Sequence, residues 1–171
     1  KTYVARKLAG VFQGLKQVNM DIIFKHLMTK QNLSWKMPPE EEPEREKQRQ
    51  RSKELVAKQQ QSYTDSGLGL LIDSTGRILG TVRRIKDELE DKGYETTMIF
   101  VNTDLETALR RNKERERTLP DKLIHQNYEV VEQRLGEYQR MFNDVHIINN
   151  SDTEQDTVDD QIAQVEKDIR K

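Results

Sequence analysis

The chain has 171 residues, of which 35% are charged and 33% are hydrophobic, and its formal net charge is -1. This length suits one domain of about 100–200 residues, and the near-balance of charges excludes a globally basic nucleic-acid binder or an acidic disordered tail. The chain has no cysteine, which excludes disulfides, thiol catalysis and cysteine-based metal sites. No apolar run approaches the ~20 residues of a membrane span, so we expect a cytoplasmic protein without a membrane partner.

The first thirty residues predict a helix, a strand and a second helix. Apolar residues at helical spacing predict a helix over residues 2–15, with Gly14 near its end. Residues 15–19 form a short strand candidate that finishes at Asp21. A second short helix follows.

Residues 35–61 differ from the rest in composition. Pro38 and Pro39 break the chain, and a run rich in Glu, Lys, Arg and Gln follows. A helix that is polar nearly all round projects into solvent or does not form, so we predict an exposed helical insertion, with a disordered linker as the alternative. Its basic residues could contact an anion, but the many glutamates favour a solvated face.

Three apolar runs in the second half predict buried strands, at residues 68–72, 97–101 and 145–148. Segments with helical periodicity lie between them and after the last one. This alternation predicts an α/β fold with a parallel sheet and flanking helices.

Local signals mark where these helices begin and end. Gly93 closes the helix after the first of the three runs, and Pro120 starts a later one. Two segments have the spacing of a capping box, at residues 103–106 and 151–154. The last helix carries a 4-3-4 apolar stripe formed by Val158, Ile162, Val165 and Ile169.

Polar residues stand where the predicted strands end, which is where open parallel sheets bind ligands. Asp21 and Asp73 follow two of the strands, and Asn149 and Asn150 follow the last one. A carboxylate at Asp73 could reach a Mg²⁺-bound water, whereas the alternative is a turn residue in Asp-Ser-Thr-Gly. Asp21 could serve chemistry or simply cap the next helix.

The chain begins with Lys1 and Thr2 and runs directly into a helix. The phosphate-binding loop reads G-x-x-x-x-G-K-[ST] and also opens a helix. If glycines preceded Lys1, its ammonium would reach the β- and γ-phosphates and Thr2 would hold Mg²⁺. The alternative is an ordinary helix start.

Residues 110–117 are rich in arginine and precede a Thr-Leu-Pro break that suits a mobile lid. Arg111 and Arg115 are four residues apart, so a continuous helix would place them on one face. Arginines stabilise the charge that spreads over a phosphoryl group during transfer. The alternative is a solvated face balanced by two glutamates.

The order and spacing of four segments resemble those of P-loop kinases of the zeta-toxin and polynucleotide-kinase-like group, with the zeta-toxin-like kinases of phage genomes the most similar. The resemblance covers roughly residues 1–150. It implies a P-loop NTPase-like parallel sheet in a kinase-like domain over residues 1–150, with the insertion at 35–61 and a C-terminal amphipathic helix over 151–171. The segments that carry it are 18–21, 67–76, 93–103 and 111–120.

The resemblance also implies roles for residues at matching positions. Asp21 matches the acid that accepts the proton of the attacking hydroxyl or orients it. Asp73 matches an acid near Mg²⁺ and substrate, with Thr2 as a further metal ligand. Positions that contact the nucleotide are Lys1 and Thr2 in the Walker A loop, Arg111, Arg115 and Arg117 in the lid, and Asn149 and Asn150 near the adenine, where a plain turn is equally expected.

The implied activity is an ATP-dependent kinase that moves the γ-phosphate to a hydroxyl of a nucleotide sugar, a nucleoside or a nucleic-acid end, with Mg²⁺. The alternative is a non-catalytic nucleotide-binding or interaction domain that kept the fold. The glycine-rich loop and the central first strand of the family are missing before Lys1. We therefore expect the chain as given to be a truncated fragment that binds ATP poorly or not at all.

Overall fold

The computed structural model of the chain describes residues 2–116, 118–151 and 157–169. Its contacts divide the chain into two compact units. Unit 1 comprises Lys1–Gln13, Thr75–Arg111 and Leu119–Lys171, and unit 2 comprises Gly14–Ser74 and Asn112–Thr118.

The order of elements in the described residues is helix, strand, two helices, then alternating strands and helices. A short 3-10 turn at Pro39–Glu41 precedes the third helix. The elements are α1 (Thr2–Val11), β1 (Lys16–Val18), α2 (Met20–Lys30), α3 (Glu42–Asp65), β2 (Leu70–Ile72), α4 (Leu79–Glu90), β3 (Thr97–Asn102), α5 (Leu105–Lys113), α6 (Asp121–Met141), β4 (Asp144–Asn149) and α7 (Val158–Ile169).

In unit 2, β1 and β2 pair in parallel, with Val18 opposite Ile72. The prediction of strands here is confirmed, although β2 is shorter than residues 68–72 and is half-buried rather than buried on both faces. Gly69 lies immediately before β2, where an added Cβ would come within 2.6 Å of the Leu15 side chain. A larger residue at position 69 would therefore require the Leu15 methyl group to move.

Helix α3 corrects the prediction of an exposed insertion. The helix forms, and one face of it is buried against α2 although its residues are polar. Arg45 is 4% exposed and Ser52 is fully buried. Arg45 donates to the Pro38 carbonyl and the Ser52 hydroxyl donates to the Arg49 carbonyl, so partners come from α3 itself and from the turn before it. Hydrophobic periodicity could not reveal a buried stripe built in this way.

In unit 1, β3 and β4 pair in parallel from Thr97 opposite Asp144 to Asn102 opposite Asn149. Both strands lie within one residue of their predicted bounds. Their core side is covered by a cluster of Phe100, Tyr138 and Phe142, with side chains from α4 and α6 packed around it. Helices alternate with parallel strands in each unit, as predicted, but the strands of the described residues form two two-stranded sheets instead of the one parallel sheet predicted.

Helices α1 and α7 pack together in unit 1. The apolar stripe predicted for the last helix is buried at Ile162 and Val165. Lys7 Nζ lies 2.8 Å from an Asp159 carboxylate oxygen, and the Tyr3 hydroxyl donates to the other oxygen. The hydrogen bond from Lys7 lowers the pKa of Asp159, and the same bond raises the pKa of Lys7.

Two helix ends differ from prediction. Helix α1 ends at Val11 rather than near residue 15. Helix α7 begins at Val158, where the Thr157 hydroxyl accepts the Asp160 amide, and most of the capping box predicted at 151–154 lies outside the described residues. None of the helices in the described ranges is long and apolar enough to cross a membrane.

Candidate functional site

The carboxyl ends of β1 and β2 bring two sequence-predicted site residues, Asp21 and Asp73, to one edge of unit 2. The Asp73 amide donates to the Val18 carbonyl at 3.0 Å, which extends the ladder one residue beyond the strands. Asn19 follows Val18, and its side-chain nitrogen Nδ2 donates to Asp73 Oδ2 at 2.6 Å. The half-buried carboxylate of Asp73 is therefore held by the neighbouring strand end.

The same asparagine begins α2. Asn19 Oδ1 accepts the amide of Asp21 at 2.8 Å and that of Ile22 at 3.4 Å, with the Asn19 backbone in an extended conformation. Asn19 is therefore the N-cap of α2, and the alternative that Asp21 caps this helix is wrong. The side chain of Asp21 is exposed in the first turn, where the helix dipole favours a negative charge.

The chemistry of Asp73 fits a magnesium ion shared with a phosphate ligand. Mg²⁺ keeps several waters and usually takes only one or two protein carboxylates beside substrate phosphates. Throughout the residues that the structure describes, no three His, Asp or Glu side chains are grouped so that they could hold a metal together. A single carboxylate such as Asp73 suits a metal–nucleotide complex and does not suit an all-protein metal cage.

The carboxyl ends of β3 and β4 in unit 1 are tied together mainly through backbone groups. The Asn150 amide donates to the Asn102 carbonyl at 2.7 Å, and Arg111 Nη1 donates to the Asn150 carbonyl at 2.7 Å. The Gln161 side chain forms two hydrogen bonds with the backbone of Asn149. Its Oε1 accepts the Asn149 amide at 2.7 Å, and its Nε2 donates to the Asn149 carbonyl at 2.9 Å. Asn150 is buried, with 7% of its surface exposed.

The capping interaction of α5 lies one residue later than predicted. Asp104, rather than Thr103, precedes the helix, and its Oδ1 accepts the Thr107 amide at 2.7 Å. That hydrogen bond lowers the pKa of the Asp104 carboxyl. The Asp104 amide in turn donates to the Ser151 hydroxyl at 2.8 Å, which links the ends of β3 and β4.

The three arginines predicted for the lid do not share one helix. Arg111 lies in α5, which ends at Lys113, so the prediction that Arg111 and Arg115 occupy one helical face is wrong. The Arg115 amide donates to the Asn112 carbonyl in a turn after the helix, and the Arg115 residue is exposed. Arg117, Lys1 and the side chain of Thr2 lie outside the described part of the chain.

Sequence reasoning missed Asn19 as a site residue. Asparagine is among the preferred N-cap residues, so its position before an apolar-periodic segment could have identified the cap of α2. Its bond to Asp73, 54 residues away, depends on the parallel register of β1 and β2. A short strand such as β1 gives little sequence signal for that register.

Comparison with known protein families agrees with this architecture. No curated protein matches the chain. The sequence model of the family described as Zeta toxin matches residues 1–166, and it therefore spans both pairs of parallel strands and the carboxylates at the end of β1 and β2. The family is P-loop kinase-like and indicates an ATP-dependent, kinase-like function. The chain therefore belongs to the Zeta toxin family.

Proposed function

We propose that this protein is an ATP-dependent kinase that transfers the γ-phosphate to a hydroxyl group of a nucleotide sugar, a nucleoside or a nucleic-acid end. The observation that supports this most directly is the pair of carboxylates at one strand edge of a Zeta toxin family member. Asp73 is held by Asn19, and Asp21 stands in the first turn of the helix that Asn19 caps.

In the proposed reaction, Asp21 accepts the proton of the acceptor hydroxyl or orients that hydroxyl. The hydroxyl oxygen then forms a bond to the γ-phosphorus while the bond to the β-phosphate oxygen breaks, which releases ADP. Asp21 suits this role because its carboxylate is exposed, and no interaction of that carboxylate is found among the described residues. A general base must reach the proton that it removes.

The other roles concern the nucleotide. Lys1 would contact the phosphates, and Thr2 and Asp73 would hold Mg²⁺. A bound Mg²⁺ neutralises charge on the phosphates during transfer. Residues that contact the phosphates or the adenine in this proposal are Arg111, Arg115, Arg117, Asn149 and Asn150.

The test is ATP turnover by the protein as its gene encodes it, with and without Asp21→Asn. The variant should lose about 10²- to 10⁴-fold of the rate, since a positioned general base contributes that much. Binding of Mg²⁺·ATP, measured by titration calorimetry, should stay within twofold, because Asp21 is not assigned to the nucleotide.

Asp121→Asn is the matched control, because Asp121 is likewise exposed in the first turn of a helix, α6. Equal turnover by the Asp21 and Asp121 variants would contradict the role of Asp21. ATP binding without ATP turnover in the unmodified protein would favour the non-catalytic alternative.

The acceptor class is tested with radiolabelled ATP and three acceptors in parallel: a uridine-diphosphate sugar, a nucleoside and a 5′-hydroxyl oligonucleotide. Label transfer to one of them identifies the class. Growth arrest on expression of the protein would favour the nucleotide sugar, because phosphorylation would consume a nucleotide sugar that the cell needs as a precursor.

A further inference from the structure

We infer that Asn19 is a positioning residue that holds the Asp73 carboxylate and the backbone of Asp21 in the proposed site, an inference that rests on the proposed function and assigns it a further residue. Three hydrogen bonds converge on the Asn19 side chain, two on its oxygen and one from its nitrogen. Asn19 is 8% exposed, so water competes little for these bonds.

The orientation of the Asn19 amide is determined by its neighbours. Its Oδ1 faces two backbone N–H donors at the start of α2, and only an acceptor can stand there. Its Nδ2 faces the Asp73 carboxylate, which accepts hydrogen bonds. A flipped amide would set donor against donor and oxygen against oxygen, so one orientation alone satisfies both sides.

The Asn19 amide links the N-cap of α2 to the orientation of the Asp73 carboxylate. The bond to Oδ2 restrains rotation of the Asp73 side chain, which leaves Oδ1 in a defined direction. The bond to the Asp21 amide fixes the first turn of α2, from which the Asp21 side chain extends. One buried amide therefore holds both the Asp73 carboxylate after β2 and the backbone of Asp21 after β1.

The two functions of the amide can be separated by substitution. Asn19→Ser and Asn19→Asp both keep an N-cap acceptor of similar quality, but neither can supply the amide donor to Asp73. Asn19→Asp also places a second carboxylate beside Asp73. Asn32→Asp is the matched control, because it makes the same charge change at an exposed residue of unit 2.

The first measurement is turnover as a function of Mg²⁺. We expect Asn19→Ser to raise the half-saturating Mg²⁺ concentration about 10-fold and Asn19→Asp to raise it more, toward 100-fold, which is the range for residues that orient a metal-associated group. The KM for the acceptor should change less than twofold, and the thermal midpoint of Asn19→Ser should stay near that of the unmodified protein. A purely structural role for Asn19 would lower the midpoint and leave the Mg²⁺ dependence unchanged.

The second measurement needs no activity. In isotope-labelled protein, the side-chain amide resonances of Asn19 should shift on Asp73→Ala substitution, while those of Asn32 should not. If these resonances do not move, or if both Asn19 variants keep the original Mg²⁺ dependence, the inference is wrong. An unmodified protein that fails to turn over ATP overturns the proposed function instead, and the resonance shift then still decides whether Asn19 holds Asp73.

Discussion

Both strand pairs end in polar residues, but the residues in the two units are engaged differently. At the end of β1 and β2, a side chain holds another side chain, with Asn19 bonded to the Asp73 carboxylate. At the end of β3 and β4, side chains hold backbone, with Arg111 and Gln161 bonded to the main chain of Asn150 and Asn149. The first arrangement orients a charged carboxylate, whereas the second fixes the backbone conformation.

The difference teaches where to look for chemistry among polar strand ends. A side chain whose hydrogen bonds satisfy buried backbone groups already has a structural reason to be present. Asp21 has no such bond in the described structure, and Asp73 is itself the group being held. We therefore expect substitutions at the end of β1 and β2 to change activity with little change in stability. Substitutions at the end of β3 and β4 should change stability, whether or not they also affect the nucleotide.

After Asp21→Asn, the largest effect should come from Asp73→Asn. A neutral amide orients a metal-bound water less strongly, so we expect the half-saturating Mg²⁺ concentration to rise about 10- to 100-fold. The free energy of unfolding should change little, because an asparagine at position 73 still accepts the bond from Asn19. Urea unfolding and an Mg²⁺ titration of turnover measure the two quantities, with Asp65→Asn as an exposed control in unit 2. A large loss of stability with unchanged Mg²⁺ dependence would mean that Asp73 serves stability, like the residues at the end of β3 and β4.

Arg111→Ala tests the other side of the comparison. Loss of its hydrogen bond leaves the carbonyl of the buried Asn150 without this charged donor, which should lower the free energy of unfolding by about 1.5–3 kcal/mol. Arg115→Ala changes an exposed residue and should stay within about 0.5 kcal/mol. Both values come from urea unfolding. If Arg111→Ala abolishes ATP turnover without loss of stability, Arg111 acts in the lid as the sequence predicts.

The smallest effect concerns acid stability through Asp104. Its pKa lies below the ordinary value of 3.8 because the Thr107 amide donates to the carboxylate. The folded state therefore binds fewer protons than the unfolded state, and this contribution is complete above pH 3.8 and is lost as the pH falls through the folded pKa.

Asp104→Asn keeps a capping acceptor and removes this titration. Urea unfolding between about pH 2 and 5 should show a shallower loss of stability with acid for the variant than for the unmodified protein. Parallel curves for the two proteins would mean that the bond to Thr107 does not contribute to acid stability.

Much of the fold could be predicted from local signals in the sequence. The runs that form β3 and β4 are short, apolar and rich in β-branched residues. When turn residues flank them, such runs favour strands over helices. The sequence predicts the helix α3 but not its burial. Its buried face is made of Arg45, Gln48 and Ser52, whose burial depends on specific partners and not on hydrophobicity. Hydrophobic periodicity detects only an apolar buried face.

The sequence predicts part of the geometry of the candidate site. It places Asp21 and Asp73 at one edge because each follows a strand, and parallel strands bring such positions together; their roles stay predictions. It does not predict the bond between Asn19 and Asp73, which depends on a pairing register that three-residue strands leave weakly marked. The predicted roles of Lys1 and Arg117 remain predictions, since both residues lie outside the described ranges.

The buried polar face of α3 indicates that selection has not maximised the stability of this protein. Arg45 Nε and Gln48 Oε1 are buried without a hydrogen-bond partner, and each such atom costs about 1–3 kcal/mol. Mutation readily finds apolar replacements at positions of this kind, and proteins that drift near a stability threshold retain such costs. Apolar substitutions at the contact between α2 and α3 could therefore increase the stability of the protein without changing the carboxylates of the site.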